Sequence, residues 1–203
     1  MIELKSKNPN WRLYVATALP TLTASTFLQR TAKFENFTPN KNLNEALYKQ
    51  AGKILNHRNG TAYEDIAMLD ARTGKVLVEN DSAAVKFRCG LTYSQYQLLQ
   101  QQGKSFEIVH NHPNSTAPST SDIIGLFERE LATASTVIAH DGGVYRMEKL
   151  QPFPAIEKLI AQIYEEIRQR YIGYPEHLIE NHATELAVER LIALKVLRYK
   201  VIK

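Results

Sequence analysis

His110 and His112 stand one residue apart, and Asp122 follows a short loop further on. Imidazole nitrogens and a carboxylate oxygen are the donors that hold a catalytic zinc ion. The apolar run Phe106-Glu107-Ile108-Val109 leads into the pair and reads as a short buried strand. Residues i and i+2 of an extended segment project to one side. The two imidazoles can therefore aim at one point. Ile123-Ile124-Gly125-Leu126-Phe127 reads as the first turns of a helix. Between strand and helix lie two prolines, an asparagine and several serines and threonines, the usual makings of a loop. Folding back, that loop brings Asp122 to the histidines as a third ligand. Two histidine nitrogens, one carboxylate and a position open to water make the ligand set of a hydrolytic zinc site. An isolated His-x-His in a polar loop is a weak signal by itself. Ser119-x-x-Asp122 at the start of a helix strengthens it.

His110-x-His112-Pro113 followed by Ser119-x-x-Asp122 resembles the JAMM (MPN-plus, JAB-domain) metalloproteases. The bacterial, phage and RadC-like branches, which read His-Asn-His-Pro, are the nearest in pattern. The stretch from Pro113 to Pro118 is one residue shorter than the family's common pattern. The resemblance implies an α/β fold over residues 42–150, a curved, mixed, cytidine-deaminase-like sheet flanked by helices. It implies one Zn²⁺ per chain on His110, His112 and Asp122, which lowers the pKa of a bound water from 15.7 towards about 7. It makes Glu64, at the start of the first core strand, the general base, with Asp65 its near competitor. It makes Ser119 the donor to the oxyanion on the scissile carbonyl. The implied substrate is a protein or peptide, cut at a peptide or isopeptide bond, ubiquitin-like proteins included. Two other readings of the same domain are a catalytically silent binding scaffold and a phage, mobile-element or toxin-associated protease. The letters His-Asn-His also suggest a nuclease, but HNH nucleases spread those residues over a ββα unit.

These groups need elements to place them. Asn42 can cap a helix with Leu43, Leu47, Ala51 and Leu55 on one face, ending at His57-Arg58-Asn59-Gly60. Tyr63 to Asp70 and Lys75 to Val78 flank a turn containing Gly74 and read as a hairpin. Val85-Lys86-Phe87-Arg88 reads as another strand, and Thr92 or Ser94 starts a helix that ends near Gly103. Ser135 to Ala139 and Val144 to Met147 form a second hairpin, with His140 at its edge as a surface histidine. Pro152 and Pro154 mark a boundary. Beyond it a helical hairpin is expected, one helix over 155–170 and another from Glu176 to about Tyr199. Its helices are expected to cover the core and, second to that, to offer a homodimer or partner surface. Residues 1–41 read as an arm, with Trp11 to Ala16 a weak strand and Phe27, Phe34 and Phe37 as anchors.

The chain of 203 residues is long enough for one full core, and its 44% hydrophobic and 23% charged residues are those of a globular protein. A formal charge of +4, spread along the chain, argues only weakly for nucleic acid, since a phosphate-binding groove calls for a denser Lys/Arg stripe. Cys89 is the only cysteine, so neither an internal disulfide nor a thiolate zinc cluster can form. It reads as a small, reduced, buried residue, and the expected compartment is the cytoplasm. Leu13 to Leu28 is broken by Pro20 and threonines, so it reads as neither a signal peptide nor a membrane span.

Overall fold

A computed structural model describes residues 34–202. The expectations for Trp11 to Ala16, Leu13 to Leu28, Phe27 and Lys203 lie outside them. Among the described residues, five helices and six strands follow in the order α1 (Lys41–Arg58), β1 (Ile66–Asp70), β2 (Val76–Asn80), α2 (Tyr93–Gln102), β3 (Phe106–His112), α3 (Thr120–Glu128), β4 (Ala132–Ala139), β5 (Val144–Lys149), α4 (Ile156–Arg170), α5 (Glu176–Ala193) and β6 (Leu197–Ile202). The strands form one sheet in the order β2-β1-β3-β4-β5-β6. The β3–β4 pair is parallel and the others are antiparallel. The fold is therefore mixed α/β, with helices on both faces. No helix among the described residues is long and apolar enough to cross a membrane.

Strand periodicity sorts the core into two layers. Ile66, Met68, Phe106, Ile108 and Met147 face α2 to α5 and pack with Leu99, Ile123, Leu126, Ile163 and Leu191. Leu69, Val109, Ile138 and Val144 face the other way, against Leu43, Leu47, Ala51 and Ile54 of α1 and against Phe34 and Phe37. His110 and His112 continue the first face of β3, two and four residues beyond Ile108.

Asn40, not Asn42, caps α1: its Oδ1 accepts the N–H groups of Asn42 and Leu43 while its Nδ2 donates to the Ala71 and Arg72 carbonyls. The cap thus also ties α1 to the β1–β2 turn. Asp70 Oδ1 accepts Arg72 and Thr73 N–H, and Gly74 closes that turn at φ +73°. A Cβ on Gly74 would lie 2.7 Å from Asn42 O and from Ala46 Cβ. Gly74→Ala is expected to cost about 1–3 kcal/mol through strain at positive φ and collision with helix backbone. Thermal unfolding followed by circular dichroism checks this; an unchanged midpoint would contradict it.

Three expected elements differ. Val85 to Arg88 is not a strand: Phe87 adopts φ +56° and its N–H bonds Ala62 O, which breaks the pleat and leaves Val85 and Phe87 exposed. The last helix does not reach Tyr199. It stops at Ala193, because Lys195 turns left-handed and its N–H bonds Ile192 O while Val196 N–H bonds Leu191 O. That crossed pair is a Schellman stop made without glycine. The chain then enters β6, which pairs with β5 from Val144↔Ile202 to Lys149↔Leu197. Third, His140 is no surface residue: it is 1% exposed.

Candidate metal centre

The end of β3 brings two imidazoles together because its register there is still extended. Ile66 pairs with His110, and His112 pairs with Ala139 of β4, so neighbours on both sides hold the pair straight. Their Nε2 atoms lie 3.2 Å apart, and both rings are buried. The loop after His112 curls back at once. Ser115, at φ +55°, donates its N–H to His112 O, and His112 Nδ1 meets Thr116 Oγ1 at 3.0 Å and Ala117 O at 3.1 Å. The short span between Pro113 and Pro118 therefore still closes on the histidines.

Ser119 then caps α3 in a reciprocal box. Its Oγ accepts Asp122 N–H at 3.2 Å, and Asp122 Oδ2 accepts Ser119 N–H at 2.7 Å and Oγ–H at 2.8 Å. The box turns the Asp122 carboxylate towards β3. Its Oδ1 lies 3.0 Å from His110 Nε2, and its Oδ2 lies 3.3 Å from His112 Nε2. His110, His112 and Asp122 thus offer donor atoms within 4.8 Å of one another, a group that could hold a metal ion.

The residues fit such an ion on three counts. Bonds of about 2.0–2.1 Å to a tetrahedral zinc put ligand atoms about 3.3–3.4 Å apart, close to the separations here. The donor set is two borderline nitrogens and a hard oxygen. Ala117 O can take the Nδ1 proton of His112, which leaves Nε2 as a lone-pair donor. His110 Nδ1 has no such partner among the described residues, so that ring is held by packing and by the strand.

The charges agree with a shared site. Burial alone would raise the Asp122 pKa, but the adjacent His110 and His112 outweigh it and hold the carboxyl well below its usual range. Burial would lower the His112 pKa, but the Asp122 and Glu64 carboxylates reverse it and the imidazole is raised.

Glu64 lies just before β1, not within it. Extending the Ile66↔His110 register by two residues brings Glu64 level with His112 and onto the same face. It lines a cavity of about 710 Å³ with His110, His112, Ser119 and Asp122. Burial raises its pKa, and His110, His112 and the Cys89 thiol offset this only in part. Cys89 is half-buried. Its thiol pKa is pushed far up, first by burial and then by the Glu64 charge, so it stays protonated beside Glu64. Asp65, the competitor, turns away: it binds His57 Nδ1 at 2.7 Å and the Arg58 guanidinium.

The roles of two residues of this centre carry no sequence signal of their own. Asn111, fully buried between the histidines, faces the opposite side of the sheet. Its Oδ1 accepts Asp65 N–H at 2.8 Å, and its Nδ2 donates to Tyr63 O at 3.1 Å. One side-chain amide thereby grips the backbone on either side of Glu64. The tripeptide His110-Asn111-His112 offers candidate metal donors with its outer residues and places the acid with its middle one. Asn111 Nδ2 also lies 3.0 Å from His140 Nε2, which accepts. Burial lowers the His140 pKa, Asp141 opposes this in part, and His112 adds to the lowering. No family model matches the chain, and comparison with curated proteins and with solved structures gives no match either.

Proposed function

We propose that this protein is a zinc-dependent hydrolase that cleaves an amide bond, peptide or isopeptide, after the manner of the JAMM metalloproteases. The observation that carries the reading is the placement of Glu64 in one cavity with the His110–His112–Asp122 group. A metal centre kept only for stability needs neither an adjacent buried acid nor an open cavity. The order of the elements and the mixed sheet with helices on both faces are compatible with that family's fold.

When bound, Zn²⁺ would supply Lewis acidity and lower the pKa of a coordinated water towards about 7. His110, His112 and Asp122 would hold it. Glu64 accepts the proton of the attacking water and returns it to the leaving amine. Its raised pKa makes the carboxylate a stronger base towards the proton of that water. Ser119 donates to the oxyanion, an interaction worth about 3 kcal/mol in comparable sites. For this its Oγ–H must swing away from Asp122 Oδ2, where it rests at 2.8 Å.

The same three donors would also suit a ferrous ion in an oxygen-activating site. Glu64 favours hydrolysis, since water activation has a use for a base at that place. The experiment is cleavage of peptide and isopeptide-linked peptide libraries by the zinc-loaded chain. Defined cuts are expected, abolished by a chelator and restored by Zn²⁺. Intact libraries across both linkages would count against the proposal.

A further inference from the structure

The α4–α5 hairpin reaches the metal centre through its own side chains. Glu180 of α5 lines the same cavity as the ligands. Its Oε1 accepts the Thr120 N–H at 3.1 Å and the Thr120 hydroxyl at 2.9 Å. Tyr164 of α4 places its hydroxyl 3.1 Å from Thr120 Oγ1. With the threonine proton committed to Glu180, the phenol is the donor there.

Thr120 is the first residue of α3 and is buried. The first N–H groups of a helix have no partner inside it. Ser119 takes the one at Asp122, and Glu180 takes the one at Thr120. The Glu180 carboxylate also sits at the positive pole of α3. Asp122 belongs to this same first turn. If the turn frays or rotates, the ligand oxygen moves with it, and a metal site tolerates displacements of only about 0.5 Å.

We propose that Glu180, assisted by Tyr164, is a positioning residue for the metal centre. The C-terminal hairpin clamps the first turn of α3 through Thr120 and so fixes where the Asp122 carboxylate points. This rests on the reading of His110, His112 and Asp122 as metal ligands. It gives the hairpin a role in the site as well as in the core.

The test is Co²⁺ titration of the chelator-stripped full chain, followed by visible absorption, alongside thermal unfolding of the metal-free forms. Glu180→Ala is expected to bind Co²⁺ about 10–100-fold more weakly, with shifted absorption bands. Glu180→Gln keeps an acceptor at the same reach but drops the charge, and is expected to stay within about three-fold of wild type. Tyr164→Phe, which removes one hydroxyl, is expected to fall between them and keeps the test available if Glu180→Ala does not fold. Wild-type affinity in both Glu180→Ala and Tyr164→Phe would overturn the clamp, whatever their unfolding midpoints. Equal weakening by Glu180→Ala and Glu180→Gln would also overturn it, because the charge would then be acting at a distance. A wild-type chain that takes up no Co²⁺ would overturn the metal reading itself, and the clamp with it.

Discussion

Glu64→Gln is expected to retain the wild-type metal content and lose about 10²–10⁴-fold in turnover. The substitution preserves shape and removes the one function assigned to this side chain, proton acceptance. Nothing else about the segment should change, because the backbone around residue 64 is held by Asn111 and by Asp65 with its partners on α1. Metal analysis and turnover on any substrate found by library cleavage check the two halves separately. A Glu64→Gln protein as active as wild type would reject the assigned base and leave the metal centre untouched.

Asp122→Ala is expected to lose the metal and some stability together, because one carboxylate does two jobs. It is a proposed metal ligand, and it accepts the Ser119 N–H in the α3 capping box. Four-ligand structural zinc sites release about 10–16 kcal/mol, so one ligand is worth about 2.5–4 kcal/mol, on the order of 10²–10³-fold in affinity. Loss of the return bond to Ser119 N–H adds about 0.5–1.5 kcal/mol in the metal-free state. Asp122→Asn separates the two jobs. It can still accept from Ser119, so the metal-free protein should lose less stability than Asp122→Ala, yet it gives up the anionic oxygen and most of the affinity. Metal titration and thermal unfolding on both variants make the comparison. Equal stability losses in Asp122→Ala and Asp122→Asn would remove the capping argument.

How far the sequence could be read depended on the range of the interactions involved. The histidine pair and Asp122 were legible because strand periodicity, loop composition and a helix cap are local signals, each carried by neighbouring residues. The face of Glu64 follows from period-two counting back from Ile66. The burial of His140 depends on Asn111, and the support of Thr120 depends on Glu180; both partners are remote in sequence and meet only through packing. β6 was misread for a different reason. Leu191, Ile192 and Leu194 sustain helical spacing, and the stop falls on a lysine where glycine is the usual marker. The alternation in Leu197, Tyr199 and Val201 was there to be seen, but only its pairing with β5 decides in its favour. Val85 and Phe87 alternate with charged residues in the same way and find no partner strand. Alternation by itself does not make a strand; a neighbour does.

Two chemistries can satisfy the atoms at the end of β3. The Asp122 oxygens can share protons with the two imidazoles, or all three side chains can share one cation. The most direct measurement is the metal content of the purified chain after Zn²⁺ loading and exhaustive dialysis, by elemental analysis, set beside His112→Ala treated alike. The expected result is about one zinc per wild-type chain and none in the variant. A wild-type chain that retains no metal, or a His112→Ala chain that retains as much, would contradict it.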